Sequence, residues 1–103
     1  MGVASTATQP YDLFTVPWRG GELQPLVATN QSLLNEVRIA STERISFTGA
    51  DGLEIEGWLV KPLSTERPYP LILHVHGGPY SAWGYSFYFQ AQALASAGYA
   101  SLY

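Results

Sequence analysis

The sequence predicts an α/β fold: two antiparallel β-hairpins followed by a strand–turn–helix–strand crossover. Three observations carry the prediction. Apolar residues alternate with polar ones from Ile45 to Leu59, the spacing of a half-exposed strand pair. Leu71-Ile72-Leu73-His74-Val75-His76 is a nearly unbroken apolar run bounded by Pro70 and Gly77, as expected of a strand buried on both faces of a sheet. Phe87, Ala91, Leu94 and Ala95 then share one helical face, and Gly98 stands where a helix C′ glycine belongs.

Taken in order, residues 1–10 are small and polar and are expected to be a disordered lead-in. Tyr11 to Val16 and Glu22 to Val27 read as strands joined by the turn Pro17-Trp18-Arg19-Gly20-Gly21, a first hairpin. Asn30 to Ala40 carries Leu33, Leu34 and Val37 at helical spacing after an Asn/Ser cap, which suggests a short helical turn or connector. Ile45 and Phe47, the turn Gly49-Ala50-Asp51-Gly52 and the strand Leu53 to Val60 form a second hairpin, with Leu53, Ile55 and Leu59 on one face and Glu54 and Glu56 on the other. A loop containing Pro62, Pro68 and Pro70 leads into the apolar run, expected to be the central strand. The helix then spans Ser86 to Ala97, with Ser86 as its cap, and Tyr99 to Tyr103 resumes a strand, making a parallel pair with the apolar run.

At 103 residues the chain is one small domain or less. Hydrophobic residues make up 47% and aromatics 14%, which argues for a packed interior and against intrinsic disorder. A net charge of −3 provides no basic stripe, so nucleic acid is not expected as a partner, and no apolar run approaches the roughly 20 residues of a membrane span, so no membrane is expected either. The chain has no cysteine, hence no disulfide or thiolate metal site, and no secretory leader pattern; a cytoplasmic location is the expectation. Every charged residue lies between Asp12 and Arg67, whereas residues 68–103 have none and are rich in aromatics. A solvated surface mixes charges of both signs, so this segment is expected to be covered by further protein.

His76-Gly77-Gly78-Pro79 follows the apolar strand, at the carboxyl end where open α/β sheets place their binding crevices. Adjacent glycines there let the backbone turn sharply and present N–H groups to a substrate oxygen, the means by which acyl-transfer enzymes stabilise a tetrahedral oxyanion. A plain tight turn is the simpler reading; the buried strand before the glycines and the helix after them favour the chemical one. His74 and His76 lie two apart, on the same face of the strand, but no third ligand stands near them in sequence and no metal or other cofactor is expected. Glu54 and Glu56 read as a solvated strand face.

The stretch Pro-Tyr-Pro-Leu-Ile-Leu-His-Val-His-Gly-Gly-Pro, ending at Pro79, resembles the prolyl-oligopeptidase family of serine peptidases, and most of all its acylaminoacyl-peptidase branch. Arg-Ile-Ser-Phe-Thr-Gly-Ala-Asp-Gly-Leu-Glu-Ile-Glu-Gly-Trp-Leu-Val-Lys-Pro, from Arg44 to Pro62, is similar to that family's lead into its catalytic domain, and Ala-Ser-Ala-Gly-Tyr-Ala, from Ala95 to Ala100, to the end of its first helix. The resemblance implies an α/β-hydrolase catalytic domain whose first part is residues 41–103, preceded at 11–40 by the last strands of a β-propeller and a connector. It also implies that Gly78 supplies an oxyanion-hole N–H and that Pro79 sets the turn. His76 stands where the prolyl-oligopeptidase branch has an oxyanion-binding tyrosine, so its implied role is positional. Tyr80 and Trp83 are candidates for the substrate entrance.

The family's Gly-x-Ser-x-Gly nucleophile elbow, and the acid and histidine that follow it, have no counterpart here; Gly84-Tyr85-Ser86-Phe87-Tyr88 has Tyr where the second glycine is needed. No member of the triad is therefore expected in this segment, which should be inert alone. The implied substrate of the whole protein is a peptide or acyl-peptide, and the implied partners of the segment are the remainder of the catalytic domain and the propeller. An exposed sheet edge would favour oligomers. A carboxylesterase or lipase of the same hydrolase fold, and a non-catalytic interaction module, remain alternatives.

Overall fold

A computed structural model describes residues 1–78, 80 and 82–103. The chain is mixed α/β, with two sheets and two helices among the described residues.

The first sheet has the order β1-β2-β3, from β1 (Gly2–Ala4), β2 (Asp12–Thr15) and β3 (Gln24–Pro25), all antiparallel. The expected hairpin is β2–β3, closed by the turn in which Gly20 N–H donates to the Pro17 carbonyl at 2.9 Å. The lead-in is more ordered than its composition suggests. Val3 pairs with Leu13, and the Thr6 hydroxyl accepts hydrogen bonds from the Thr8 and Gln9 N–H groups, a local turn that folds β1 back against β2. The turn also buries Ala7.

Asp12 ties this sheet to the next element by accepting from the Thr29 N–H and hydroxyl, each at 3.1 Å. Helix α1 (Gln31–Glu36) follows, the short helical turn expected within Asn30 to Ala40. Asn30 is its N-cap residue, but the side-chain amide donates to the Tyr11 carbonyl and caps no helix N–H.

The second sheet has the order β4-β5-β7-β6, from β4 (Thr42–Thr48), β5 (Glu54–Val60), β6 (Leu71–Leu73) and β7 (Ala100–Leu102). β4 and β5 pair in register from Thr42↔Val60 to Thr48↔Glu54, and β7 joins β5 antiparallel and β6 parallel. Gly57 lies where β5 meets β7: a Cβ there would stand 3.0 Å from a Leu102 methyl and 3.3 Å from the Tyr103 carbonyl oxygen, so the close approach of these two strands depends on the missing side chain.

Helix α2 (Phe89–Ser96) connects β6 to β7 and covers one face of this sheet, burying Ala91 and Ala95 against Val60 and Ala40, with Tyr88 and Tyr103 at the margin. Small residues on the helix let it lie close to the sheet. Three expectations are corrected here. β6 is three residues long and stands at the edge of the sheet, not at its centre. It is covered on one side only, because α2 lies over the Ile72 face while Leu71 and Leu73 are 56% and 64% exposed. Ser86 does not cap α2: Tyr88 is the N-cap residue, in extended conformation and without a side-chain capping bond.

Both ends of α2 are secured to neighbours. After the helix, Gly98 at φ +90° turns the chain and Tyr99 N–H bonds back to the Leu94 carbonyl at 3.0 Å. On the helix itself, the Gln92 amide accepts from the Ala40 N–H at 2.8 Å and donates to the Ala40 carbonyl at 3.0 Å. That single side chain satisfies both backbone groups of a residue only 1% exposed, and so fixes the connector just before β4.

Candidate active site

The sequence-predicted site residues lie at the carboxyl end of β6. Leu73 is the last residue of that strand, and one further ladder-type bond, His74 N–H to the Leu102 carbonyl at 2.8 Å, carries the chain into the loop. Val75, His76, Gly77 and Gly78 are then exposed. Nothing lies within 4 Å of the place a Cβ would take on Gly77, so neighbouring atoms do not demand glycine there. The space above the loop is open, as approach by another molecule requires. Pro79 lies outside the described residues.

His76 is exposed, and its Nδ1 is 2.9 Å from the Gly77 carbonyl oxygen. A carbonyl oxygen only accepts, so this bond requires the tautomer with the proton on Nδ1. His74, on the same face of the strand, is half-buried; its Nδ1 is 3.4 Å from the Tyr88 hydroxyl, and its buried Nε2 has no partner among the described residues. Among the described residues no three His, Cys, Asp or Glu side chains converge as metal ligands.

Trp83 folds back over both histidines. Its ring centroid is 6.3 Å from that of His74 and 5.7 Å from that of His76, edge-on in each case, and it also meets Tyr88 at 5.2 Å and Tyr103 at 5.6 Å. Tyr88 and Tyr103 are themselves in edge contact at 4.9 Å. Burial pushes the Tyr103 phenol above its ordinary range; Thr42 opposes the rise and Tyr88 and Tyr85 add to it. Among the described residues the hydroxyl makes no hydrogen bond, and burial prevails.

The structure therefore separates the two residues proposed for the substrate entrance. Tyr80 is fully exposed, at 100%, while Trp83 is half-buried in the aromatic cluster beneath the loop. Tyr88 and Tyr103 were missed as parts of this site. The period-two spacing of His74 and His76 was the available signal, since it places both imidazoles on the α2 face where those phenols lie.

A cleft of about 330 Å³ adjoins the loop. Ile55, Glu56 and Gly57 line one side and Val75 and His76 the other. His74, Trp83 and Tyr103 border it as well, so the cleft and the aromatic cluster share walls beside the exposed backbone of Gly77 and Gly78.

Comparison with known proteins agrees with this arrangement. The family model described as acetyl xylan esterase (AXE1) matches residues 22–102. An uncharacterized peptidase of Bacillus subtilis, YuxL, is 36% identical over 97 residues, a match covering 92% of this chain and 15% of the relative. Among solved structures, the Pyrococcus horikoshii acylaminoacyl peptidase superposes with a TM-score of 0.83 at 33% identity, covering 98% of this chain and 16% of that one. An acylaminoacyl peptidase in complex with Z-Gly-Gly-Phe-chloromethyl ketone superposes with a TM-score of 0.82 at 32% identity, with the same coverage. The chain thus spans about one-sixth of the length of these proteins.

Proposed function

Because the chain belongs to the acetyl xylan esterase (AXE1) family and to the prolyl-oligopeptidase-type hydrolases that share its fold, we propose that it forms the oxyanion-loop segment of a serine peptidase of acylaminoacyl or oligopeptidase type. In this reading the Gly78 N–H points at the carbonyl oxygen of a peptide or acyl-peptide and stabilises the charge that develops there as a serine attacks. The serine, its histidine base and the orienting acid belong to other parts of the longer protein. His76 is positional: with its Nδ1 turned to the Gly77 carbonyl, the imidazole braces the loop backbone. Residues 11–40 are assigned to the end of a β-propeller and a connector, and residues 41–103 to the start of the catalytic domain.

One observation carries this reading: two adjacent exposed glycines stand at the carboxyl end of a strand parallel to its neighbour, within a fold matched at TM-score 0.83 by an acylaminoacyl peptidase. That an acylaminoacyl peptidase of this fold is captured with a peptide chloromethyl ketone makes a peptide the favoured substrate class. A second reading, an esterase acting on acetylated carbohydrate, is favoured by the description of the matching family model.

The test uses the full-length protein and the isolated 103-residue chain side by side. Each is treated with a fluorophosphonate probe and assayed on an acylaminoacyl p-nitroanilide, on p-nitrophenyl acetate and on acetylated xylan. The full-length protein is expected to be labelled and to cleave the anilide, and the isolated chain to be unlabelled and inert. Metal-independent hydrolysis by the isolated chain would refute the division of labour, and activity confined to acetylated xylan would establish the esterase reading instead.

A further inference from the structure

We propose that Trp83 is the positioning residue of the oxyanion loop, its indole fixing where the backbone of Gly77 and Gly78 stands; this rests on the reading of that loop as an oxyanion hole. The case starts from the hydrogen bonds among the described residues. Beyond His74, whose N–H bonds to the Leu102 carbonyl, the described backbone hydrogen bonds do not resume until Ser86 N–H meets the Gly84 carbonyl, a bond local to the loop. Val75 is 82% exposed on the uncovered face of the sheet and contributes no anchorage. The ladder thus stops just before the residues whose placement matters most.

Side-chain stacking takes over from the ladder. Trp83 touches His74 at the base of the loop and His76 immediately before the glycines, spanning the two imidazoles on one face of the chain. Tyr88 and Tyr103 meet the indole too, Tyr88 also touching His74, and both phenols belong to the margin of the buried cluster beneath α2. A continuous path of ring contacts therefore runs from the core through Trp83 to His76. His76 passes the constraint to the backbone through its own bond to the Gly77 carbonyl. An oxyanion donor must stand within a few tenths of an ångström of its working position, and small displacements in such sites cost large factors in rate.

This differs from the role expected for Trp83 at the substrate entrance, and kinetics separate the two. An entrance residue contributes binding common to ground and transition states, so its loss raises KM and spares kcat; a residue that aims the oxyanion donor acts on the transition state, so its loss lowers kcat. In the full-length enzyme, Trp83→Ala is expected to lower kcat on an acylaminoacyl p-nitroanilide by about 10–100-fold with KM within about twofold. The affinity of a peptide boronic acid, whose tetrahedral oxygen occupies the oxyanion hole, should fall by a similar factor. Trp83→Phe, which keeps a ring between the imidazoles, should stay within about threefold of wild type.

A rise in KM with kcat preserved would overturn the proposal, as would equal losses in the Ala and Phe variants. Should Trp83→Ala fail to fold by circular dichroism, Trp83→Leu replaces it, retaining apolar volume without a ring face. Equal kcat in the Leu and Phe variants would then sink the idea. A wild-type enzyme that neither turns over any substrate nor reacts with a fluorophosphonate would defeat the oxyanion-hole reading itself. That outcome is distinct from an active enzyme indifferent to Trp83.

Discussion

Gln92 is the side chain whose removal should be felt most sharply outside the loop. Its amide satisfies both the N–H and the carbonyl of Ala40, at 2.8 and 3.0 Å, and Ala40 is 1% exposed, packed with Val60, Ala91 and Ala95. Gln92→Met retains the length and apolar contact of the side chain but leaves a buried donor and a buried acceptor unpaired. Each orphaned group costs about 1–3 kcal/mol, so a loss of about 2–4 kcal/mol is expected, toward the lower end because Gln92 is itself half-buried and water can approach from its side. Gln92→Glu should fall between, since a carboxylate still accepts from the Ala40 N–H but repels the carbonyl. Urea denaturation of the full-length protein supplies the global figure. Hydrogen exchange supplies the local one: protection of the Ala40 amide should drop by about 30-fold for each 2 kcal/mol of local opening. A Gln92→Met protein within 0.5 kcal/mol of wild type, by roughly the scatter of ordinary surface substitutions, and with Ala40 protection unchanged would refute the reasoning.

Gly98 has φ +90° and open space where a Cβ would stand, so Gly98→Ala should cost only the backbone strain, about 1–2 kcal/mol, and Gly98→Asn less; urea midpoints read both, and an Ala variant equal to wild type would count against the left-handed cap. The Tyr103 phenol is raised by burial, so its neutral form is the one the fold favours. Its contribution is therefore complete below the unfolded phenol value of about 10 and is lost as pH rises through the folded value, so Tyr103→Phe should lose less stability than wild type between pH 8 and pH 11. Identical alkaline losses in the two proteins would contradict that linkage. The isolated 103-residue chain, with β6 at an open edge and Leu71, Leu73 and Val75 exposed beside it, should sediment as oligomers or aggregate, and a monodisperse monomer would speak against an interface on this sheet.

The elements were legible where periodicity was strong. Alternation from Ile45 to Leu59 gave the β4–β5 pair, and it placed Glu54 and Glu56 on the face opposite Ile55, as the observed register has them. Phe87, Ala91, Leu94, Ala95 and Gly98 gave α2, and the parallel pairing of β6 with β7 followed from strand, helix, strand. The failures have physical causes. β1 was missed because a three-residue edge strand of Gly, Val and Ala has no period of its own and owes its existence to β2. Residue type suggests Ser86 as the cap, but the chain bends at Tyr85 and Ser86, where the Ser86 N–H bonds the Gly84 carbonyl, and the helix begins only after the extended Tyr88. Of the candidate site, the glycine loop was readable because its chemistry dictates its residues. The support beneath it was not, because Trp83 meets His74 and His76 through ring contacts that leave no repeat, and Gln92 reaches Ala40 across 52 positions of sequence.

The uncharged segment 68–103 connects these observations. On the second sheet, the α2 face holds Ile72, Val60 and Trp58 beneath the helix and its aromatic loop, whereas the opposite face presents Leu71, Leu73, Ile55 and Phe47, all at least 42% exposed. An apolar face this continuous on a sheet is the surface against which a second layer packs. Of the two ion pairs on this sheet, Arg44 with Glu56 belongs by register to the α2 face, and among the β4 and β5 residues Glu43, which pairs with Lys61, is the one charge on the apolar face. The relatives are about six times longer than the matched segment, and in proteins of that length a second layer on such a face has chain enough to form. Covering the outer face of β6 would bury Val75 and stiffen the strand end from the other side. Trp83 on one face and that added layer on the other would then hold the His76-Gly77-Gly78 backbone between two packed surfaces, which is the preorganisation that an oxyanion donor needs.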